Sequence, residues 1–308
     1  MQQHVLISGA SGLIGSALST HLARLGFVVH ALERDNPAAR FNYSSASRQV
    51  ALDHSIYLSA VINLAGPSIA DGRWTARRKQ ELLESRVDLT TALATALAAA
   101  PQPTALFLSA SAVGFYGEST LPLNEEAPAG DDYLASLATR WEAATAPARQ
   151  VGIPTAHLRF GVVLSTKGGV LGKLMLPFSL CVGGKLGDGH QPMSWIALPD
   201  VLNLLTRLIE APAVLTAHTD SEGVSALNLV ADEPITNAVF TKALGRALHR
   251  PTPFPLPKPL IRLLFGEMGD ALLLGHSAVI STRLAALGYT LQYPSIDLAL
   301  AYLIEHKA

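Results

Sequence analysis

An α/β fold, a doubly wound parallel sheet carrying a smaller α+β domain at its C-terminal end, is what this sequence predicts. Three observations point to it. Short apolar runs alternate with helix-patterned segments over residues 1–165. A glycine-rich turn, Gly9 to Gly15, joins the first such run to the first helix. After Leu164 the rhythm gives way to clustered glycines and then to alternating prolines. At roughly 150 residues per domain, 308 residues suggest two domains. Residues 1–165 are expected to form the sheet domain, with segments around 195–231 returning to it. Residues 166–194 and 232–308 are expected to form the smaller one.

Val5-Leu6-Ile7, bounded by Ser8-Gly9, has the pattern of a parallel strand buried on both faces. Leu13 to Leu25 repeats apolar residues at helical spacing (Ile14, Leu18, Leu22, Leu25) and stops at Gly26. Phe27–Leu32, Val61–Gly66 and Leu106–Ser109 read as further strands, with a helix from Ala76 to Ala100 that Pro101 ends. A helix around Tyr133–Ala146, closed by Pro147, precedes a strand over Thr155–Leu164. Glycines crowd residues 168–189, and Pro251, Pro253, Pro255, Pro257 and Pro259 mark an extended connector before an apolar helix, Leu260–Phe265.

The composition excludes several classes. Hydrophobic residues make up 49% and charged ones 15%, so the chain can fill a core and is not disordered as a whole. Lys and Arg number 23 against 24 Asp and Glu, net −1, which gives no concentrated positive face for nucleic acid or membrane. A single cysteine, Cys181, rules out an internal disulfide and fits a reducing compartment. Mean hydropathy is +0.30, and Leu89 to Gly117 carries no charge. Pro101 and Pro103 interrupt that stretch, so it reads as buried helix, break and buried strand rather than a membrane span. The start of the chain lacks the basic flank of a signal peptide, and a cytoplasmic location is expected. The histidines show no ligand spacing, so no metal is expected.

Gly9-Ala10-Ser11-Gly12-Leu13-Ile14-Gly15 is G-x-x-G-x-x-G directly between a strand and a helix, the context in which the pattern holds a dinucleotide. The first glycine permits the tight turn, the second lets backbone approach a pyrophosphate, and the third allows close packing. The helix N-terminus then offers free N–H groups to the phosphates. At the end of the second strand stand Glu33 and Arg34. The acid would bond a ribose 2′-hydroxyl and favour NAD; the arginine would take a 2′-phosphate and favour NADP. The spacing leaves both open. Leu64, Ala65 and Gly66 could let an adenosine half lie on the backbone, and Ser109 and Ala110 end another strand at the edge where ligands of such sheets bind. Arg159 completes the cofactor-side set.

These residues resemble the extended short-chain dehydrogenase/reductase superfamily. Gly9 to Gly15 matches its cofactor motif, and Ser111 to Gly117 is similar to its S-A-x-V-Y-G stretch, which implies Ser111 as the counterpart of the catalytic serine. Gly187-Asp188-Gly189-His190-Gln191, continuing through Ser194-Trp195 to Asp200-Val201, resembles the G-D-G-x-Q…D-V segment that lines the substrate cleft. Gln191, Ser194, Trp195, Tyr116 and Trp74 are therefore the substrate-side candidates. A closer match is an atypical branch labelled epimerase-like or cell-division-inhibitor-like. Its marks are Asn63 to Gly66, Asp71 to Trp74, Ser85-Arg86, Trp141-Glu142, Asn228 to Pro234 and Gly266-Glu267-Met268. The resemblance spans essentially the whole chain. It implies a Rossmann-type fold, NADP(H) as cofactor with Arg34 on the 2′-phosphate, and a monomer or homodimer; NAD is the alternative.

One departure matters. The superfamily's proton-transfer pair, Tyr-x-x-x-Lys, is missing. Leu137 follows Tyr133 by four residues, and anchoring on Glu142 instead puts Leu134 and Ala138 in the two slots. An unassisted tyrosine, with a pKa near 10, is a poor base at neutral pH. Two substitutes stand out. Arg86 lies on the helical stripe of Leu82, Leu89 and Leu93 and could supply the absent positive charge or touch the cofactor; Tyr116 could donate the proton. The expected function is an NADP(H)-dependent oxidoreductase or epimerase-like enzyme for a small polar substrate, a nucleotide sugar being one candidate. The alternative is a catalytically silent NADP(H) sensor acting through a protein partner.

Overall fold

In the computed structural model, which describes residues 2–216, 219 and 224–307, the continuous apolar runs become central strands buried on both faces. β1 (His4–Ser8), α1 (Leu13–Arg24) and β2 (Val28–Arg34) open the fold, and a short hairpin, β3 (Asn42–Ser44) and β4 (Gln49–Ala51), extends it sideways. β5 (Leu58–Asn63), α2 (Ala76–Ala98), β6 (Phe107–Ala112), α3 (Tyr133–Ala143), α4 (Ala146–Gln150) and β7 (Thr155–Phe160) follow. Then come β8 (Val162–Leu164), α5 (Gly169–Ser179), β9 (Pro192–Met193), β10 (Trp195–Ala197), α6 (Leu198–Glu210), α7 (Ala213–Thr216) and β11 (Val224–Leu229). The remainder holds β12 (Ile235–Thr236), α8 (Asn237–Leu248), α9 (Lys258–Phe265), α10 (Glu267–Gly269), α11 (Arg283–Ala286) and α12 (Ile296–Glu305).

The main sheet runs β11-β7-β6-β5-β1-β2-β3-β4, with every pairing parallel except β3 with β4. The chain leaves β1 toward β2 and later returns to β1's other side with β5. That reversal opens a crevice at the carboxyl ends of β1 and β5, where ligands of doubly wound sheets bind. One face is covered by α1 and α6, which bury Leu18, Leu22, Val201, Leu204, Leu205 and Leu208; α2 and α4 cover the other through Leu93, Leu97 and Ala148. Of the span 195–231 expected to rejoin the sheet, β11 does so, and residues 217, 218 and 220–223 lie outside the described residues.

Four expectations need correcting. Thr155–Leu164 is two strands, because the chain turns at Gly161, where a Cβ would lie 2.7 Å from the Ser194 carbonyl oxygen; beyond it β8 pairs with β10. The strand expected to reach Gly66 ends at Asn63. The helix from Tyr133 stops at Ala143, and Pro147 sits in the first turn of the next helix, a position that tolerates its missing N–H. The proline-rich stretch is free of helix from Pro251 to Pro257, with Leu256 bridging Leu186, but the helix begins at Lys258, so Pro259 lies in its first turn and not in the connector. No described helix is long and apolar enough to cross a membrane.

Two buried carboxylates fasten the C-terminal part to the sheet domain. Glu125 accepts from the Asn228 amide (3.1 Å), Ser281 Oγ (2.6 Å) and both the amide and hydroxyl of Thr282 (3.0 and 2.9 Å). Next to it, residues 276–280 run alongside 119–123: the Ser119 and Leu123 amides donate to the carbonyls of His276 and Ala278, and the Ile280 amide to that of Leu123. Asp200, in the stretch expected to line a cleft, is instead fully buried and accepts from the amides of Gln292 (2.7 Å) and Tyr293 (3.1 Å) and from the Tyr289 hydroxyl. It anchors the chain rather than facing solvent.

Candidate functional site

The turn from Gly9 to Gly15 is sterically committed to glycine. Gly9 has φ +70°, and a Cβ there would lie 2.8 Å from the Leu64 carbonyl oxygen. A Cβ on Gly15 would come within 2.1 Å of the Gly9 carbonyl oxygen, so the third glycine packs helix against turn. α2 and α3 are capped by the Thr75 and Asp132 side chains, which accept from the Arg78 and Ala135 amides. α1 has no side-chain cap and no acid in its first turn. Its N-terminal amides and positive dipole end therefore face the crevice, with Ser11 exposed and Leu13 and Ile14 half-buried beside them. A groove of about 720 Å³ starts at Ser11–Leu13 and runs along α1 against α6, past Thr20, Arg24, Lys167 and Asn203. None of those four was singled out by the sequence.

At the far end of the crevice, Glu33 accepts from the Asn36 side-chain Nδ2 at 2.7 Å, and Arg34 is exposed at the end of β2. Behind them Tyr43 of the hairpin packs with Leu32, Ala65 and Leu89, a small apolar floor that no sequence signal marked. Asn63 is fully buried, accepting from Ser8 Oγ and donating to Thr90 and, at 3.4 Å, to Ser109. It ties the ends of β1, β5 and β6 together under Leu64–Gly66 and beside Ala110.

The serine loop is held by a network the sequence did not reveal. Ser111 Oγ donates to Glu142 Oε1 (2.6 Å), which also receives Arg159 Nε (2.8 Å); Arg159 Nη2 donates to Glu142 Oε2 (2.9 Å). Arg159 Nη1 donates to the Tyr116 hydroxyl (2.8 Å), which donates onward to Asn228 Oδ1 (2.8 Å). The guanidinium stacks 3.5 Å from the Phe115 ring centre, and His157 Nδ1 lies 3.4 Å from Glu142. Burial alone would raise the Glu142 carboxyl, but hydrogen bonds from Arg159 and His157 hold it down to about 2. Burial pushes the Tyr116 phenol up, against the opposing Arg159 charge. At neutral pH the Ser111 proton is thus committed to an ionised carboxylate. Leu134, in one of the two slots named above, packs by Gly114 of the same loop.

Arg86 is 8% exposed. It donates to the carbonyls of Leu82 (3.0 Å) and Pro67 (2.9 Å), lies over Trp141, and leaves just enough room for Gly66. Burial brings its pKa down to about 10. Tyr133 stands close enough for each charge to shift the other's titration; its hydroxyl donates to the Lys79 carbonyl and its ring meets Trp74 edge-on.

The substrate-side candidates divide. Gln191 is buried with its Nε2 fixed between the carbonyls of Leu186 and Leu273, which leaves Oε1 without a partner; the Ser277 hydroxyl is likewise buried and unpartnered. Ser194 Oγ accepts from the Val279 amide. Trp195 is 1% exposed in the main core, and Trp74 packs with Leu82 and Met268 while its indole donates to Ile69. The structure therefore brings Ser111, Tyr116 and Arg159 together, keeps Trp195 apart in the main core, and gives Trp74 and Arg86 the common neighbours Tyr133 and Leu82. Glu142, Asn228, Glu125 and Ser277 were missed, although Trp141-Glu142 and Asn228 belong to the marks of the resemblance.

Uncapped turn, crevice and overlying C-terminal part define a Rossmann-like α/β protein with a second domain of smaller elements. The profile of the NAD dependent epimerase/dehydratase family matches residues 5–219, and the chain belongs to that family. A domain of unknown function, DUF1731, matches residues 256–303. An epimerase family protein of Mycobacterium tuberculosis is 39% identical over 301 residues, 97% of this chain and 96% of the relative. The crystal structure of human epimerase family protein SDR39U1, solved with NADPH, superposes with a TM-score of 0.85 at 33% identity, covering 98% of this chain and 99% of that one. A nucleoside-diphosphate sugar epimerase of Corynebacterium glutamicum superposes at 0.76 and 32% identity, over 99% of this chain but 59% of that one.

Proposed function

We propose that this chain binds NADP(H) across the carboxyl edge of its sheet and acts there as an oxidoreductase or epimerase-like enzyme on a small polar substrate. The observation that carries this is the uncapped start of α1 behind a turn so tightly packed that a Cβ at Gly9 or Gly15 would strike neighbouring backbone. The human relative solved with NADPH supports it. The amides of Gly12, Leu13, Ile14 and Gly15, with Ser11, would hold the diphosphate. Leu64, Ala65 and Gly66 would flank the adenosine half, Ser109 and Ala110 the other half, and Arg34 would take the 2′-phosphate. Residues 1–165 with the return of 195–231 form the nucleotide domain in this reading, and 166–194 with 232–308 form the cover.

When bound, NADPH supplies hydride from its nicotinamide ring. The protein's part is alignment. Ser111 can accept a hydrogen bond from a substrate hydroxyl, its own O–H being engaged by Glu142, and Gln191 Oε1 is a second acceptor without a partner. Both suit a substrate rich in hydroxyl groups. A second reading draws on the same network: Ser111 and Tyr116 have committed their protons and Leu134 lies by the serine loop, which favours a cofactor-binding sensor without turnover.

Isothermal titration is expected to show NADPH binding at micromolar protein; no heat with either NADPH or NADH would remove the proposal. Arg34→Ala should weaken NADPH about tenfold or more, a loss of about 1.4 kcal/mol, while NADH changes little. Equal losses would contradict the 2′-phosphate assignment. Consumption of bound NADPH by any member of a carbonyl library would favour the enzyme over the sensor.

A further inference from the structure

We infer that Arg86, seconded by Arg78, is a receptor for an oxyanion of the substrate, a carboxylate or a phosphate; this rests on the NADP(H) reading above and names the substrate class it leaves open. A guanidinium buried in a protein is costly, and is ordinarily matched by a carboxylate. Arg86 is buried on the apolar stripe of α2, yet among the described residues no carboxylate pairs with it. Its partners are two neutral carbonyls, those of Leu82 and Pro67. Two of its five N–H bonds are used in this way, and the stacked Trp141 face and the absent side chain of Gly66 fix the plane of the group.

A second cation lies close by. Arg78, two turns earlier on the same helix, donates to the Ser68 carbonyl and is near enough for its charge to oppose protonation of Arg86. Its Nε is buried and has no partner. The two guanidiniums thus grip consecutive carbonyls, Pro67 and Ser68, at the rim beyond Leu64–Gly66, and Arg78 Nε is still without a partner. Glu81 pairs with Arg78 at 3.6 Å and with Arg77 at 2.9 Å on the exposed face, and does not reach Arg86. An oxyanion delivered to this rim gains a rigid, desolvated donor set, and such bonds are about twice as strong as neutral ones. The diphosphate and 2′-phosphate of the cofactor are provided for elsewhere, at the start of α1 and at Arg34, so the anion received here belongs to the second substrate.

The test uses the whole protein saturated with NADPH, so that the phosphate-binding turn and Arg34 are filled. Inorganic phosphate and malonate are titrated in, with thermal shift and calorimetry as readouts. The expected result is saturable stabilisation by at least one of them, lost about tenfold or more in Arg86→Gln and weakened in Arg78→Gln, while Arg86→Lys retains part of it and NADPH affinity stays within about twofold in Arg78→Gln. Arg78→Gln lies at a half-exposed position and keeps the test alive should Arg86→Gln fail to fold. Wild-type anion binding that survives both substitutions, or no anion binding to the NADPH-loaded protein, overturns the inference while leaving the cofactor reading intact. A tenfold loss of NADPH affinity in Arg86→Gln also overturns it, by giving the anion to the cofactor. Failure of the wild type to bind NADPH at all would instead strike the parent reading.

Discussion

Alanine at position 15 is expected to reduce NADPH affinity by about 100-fold or more, some 2.7 kcal/mol. The added Cβ would lie 2.1 Å from the Gly9 carbonyl oxygen and 2.9 Å from the Ala10 Cα, both backbone atoms that cannot rotate away. Relief requires the turn to move off the helix, and with it the amides proposed to hold the diphosphate. Core overpacking of this kind costs about 1–3 kcal/mol in stability. The variant is therefore titrated with NADPH after circular dichroism confirms folding. Affinity close to the wild type's in a folded Gly15→Ala protein would mean that the diphosphate is not bound at this turn.

Replacing Glu142 by glutamine is expected to destabilise the fold by about 3–5 kcal/mol, as breaking one side of a buried ion pair does. Glu142 on α3 receives Ser111 from β6 and Arg159 from β7, with His157 of β7 close by, so one carboxylate pins a helix to two strands. Its loss leaves the Arg159 charge buried without an ionised partner. The same residue sets an acid limit. Its pKa falls from the usual carboxylate range to about 2 on folding, so its contribution, about 3 kcal/mol, is present above pH 5 and disappears as pH drops from about 5 to 2. Urea midpoints across that range should fall steeply for the wild type and more shallowly for Glu142→Gln. A substitution costing under about 1 kcal/mol, with an unchanged acid slope, would show that the network does not carry the packing of α3.

Much of this molecule can be read from its sequence where the cause is local. The phosphate-type turn is legible because each glycine answers a contact within a few residues or with the neighbouring strand, and β1 is legible because burial on both faces demands an unbroken apolar run. β3 and β4 escape notice: three residues each, with a single large apolar side chain apiece, they have no signal apart from the edge of β2 that they extend. The break at Gly161 depends on Ser194, more than thirty residues away, and no periodicity anticipates it. The proton-bearing groups were found one by one, but their bonding was not. Ser111 and Tyr116 share one stretch, but Glu142, Arg159 and Asn228 come from three others, and only the closed sheet reveals that the serine expected to do chemistry is answered by a glutamate.

The strap of residues 276–282 is bound at one end to the loop following the serine and at the other to Glu125 and Asn228, and Asn228 also receives the hydroxyl of Tyr116. Lifting that strap would strain the tie that fixes the tyrosine, so access to this edge of the sheet and loosening of its polar network would come as one cooperative event, with no half-open form in which the door stands ajar over an undisturbed interior.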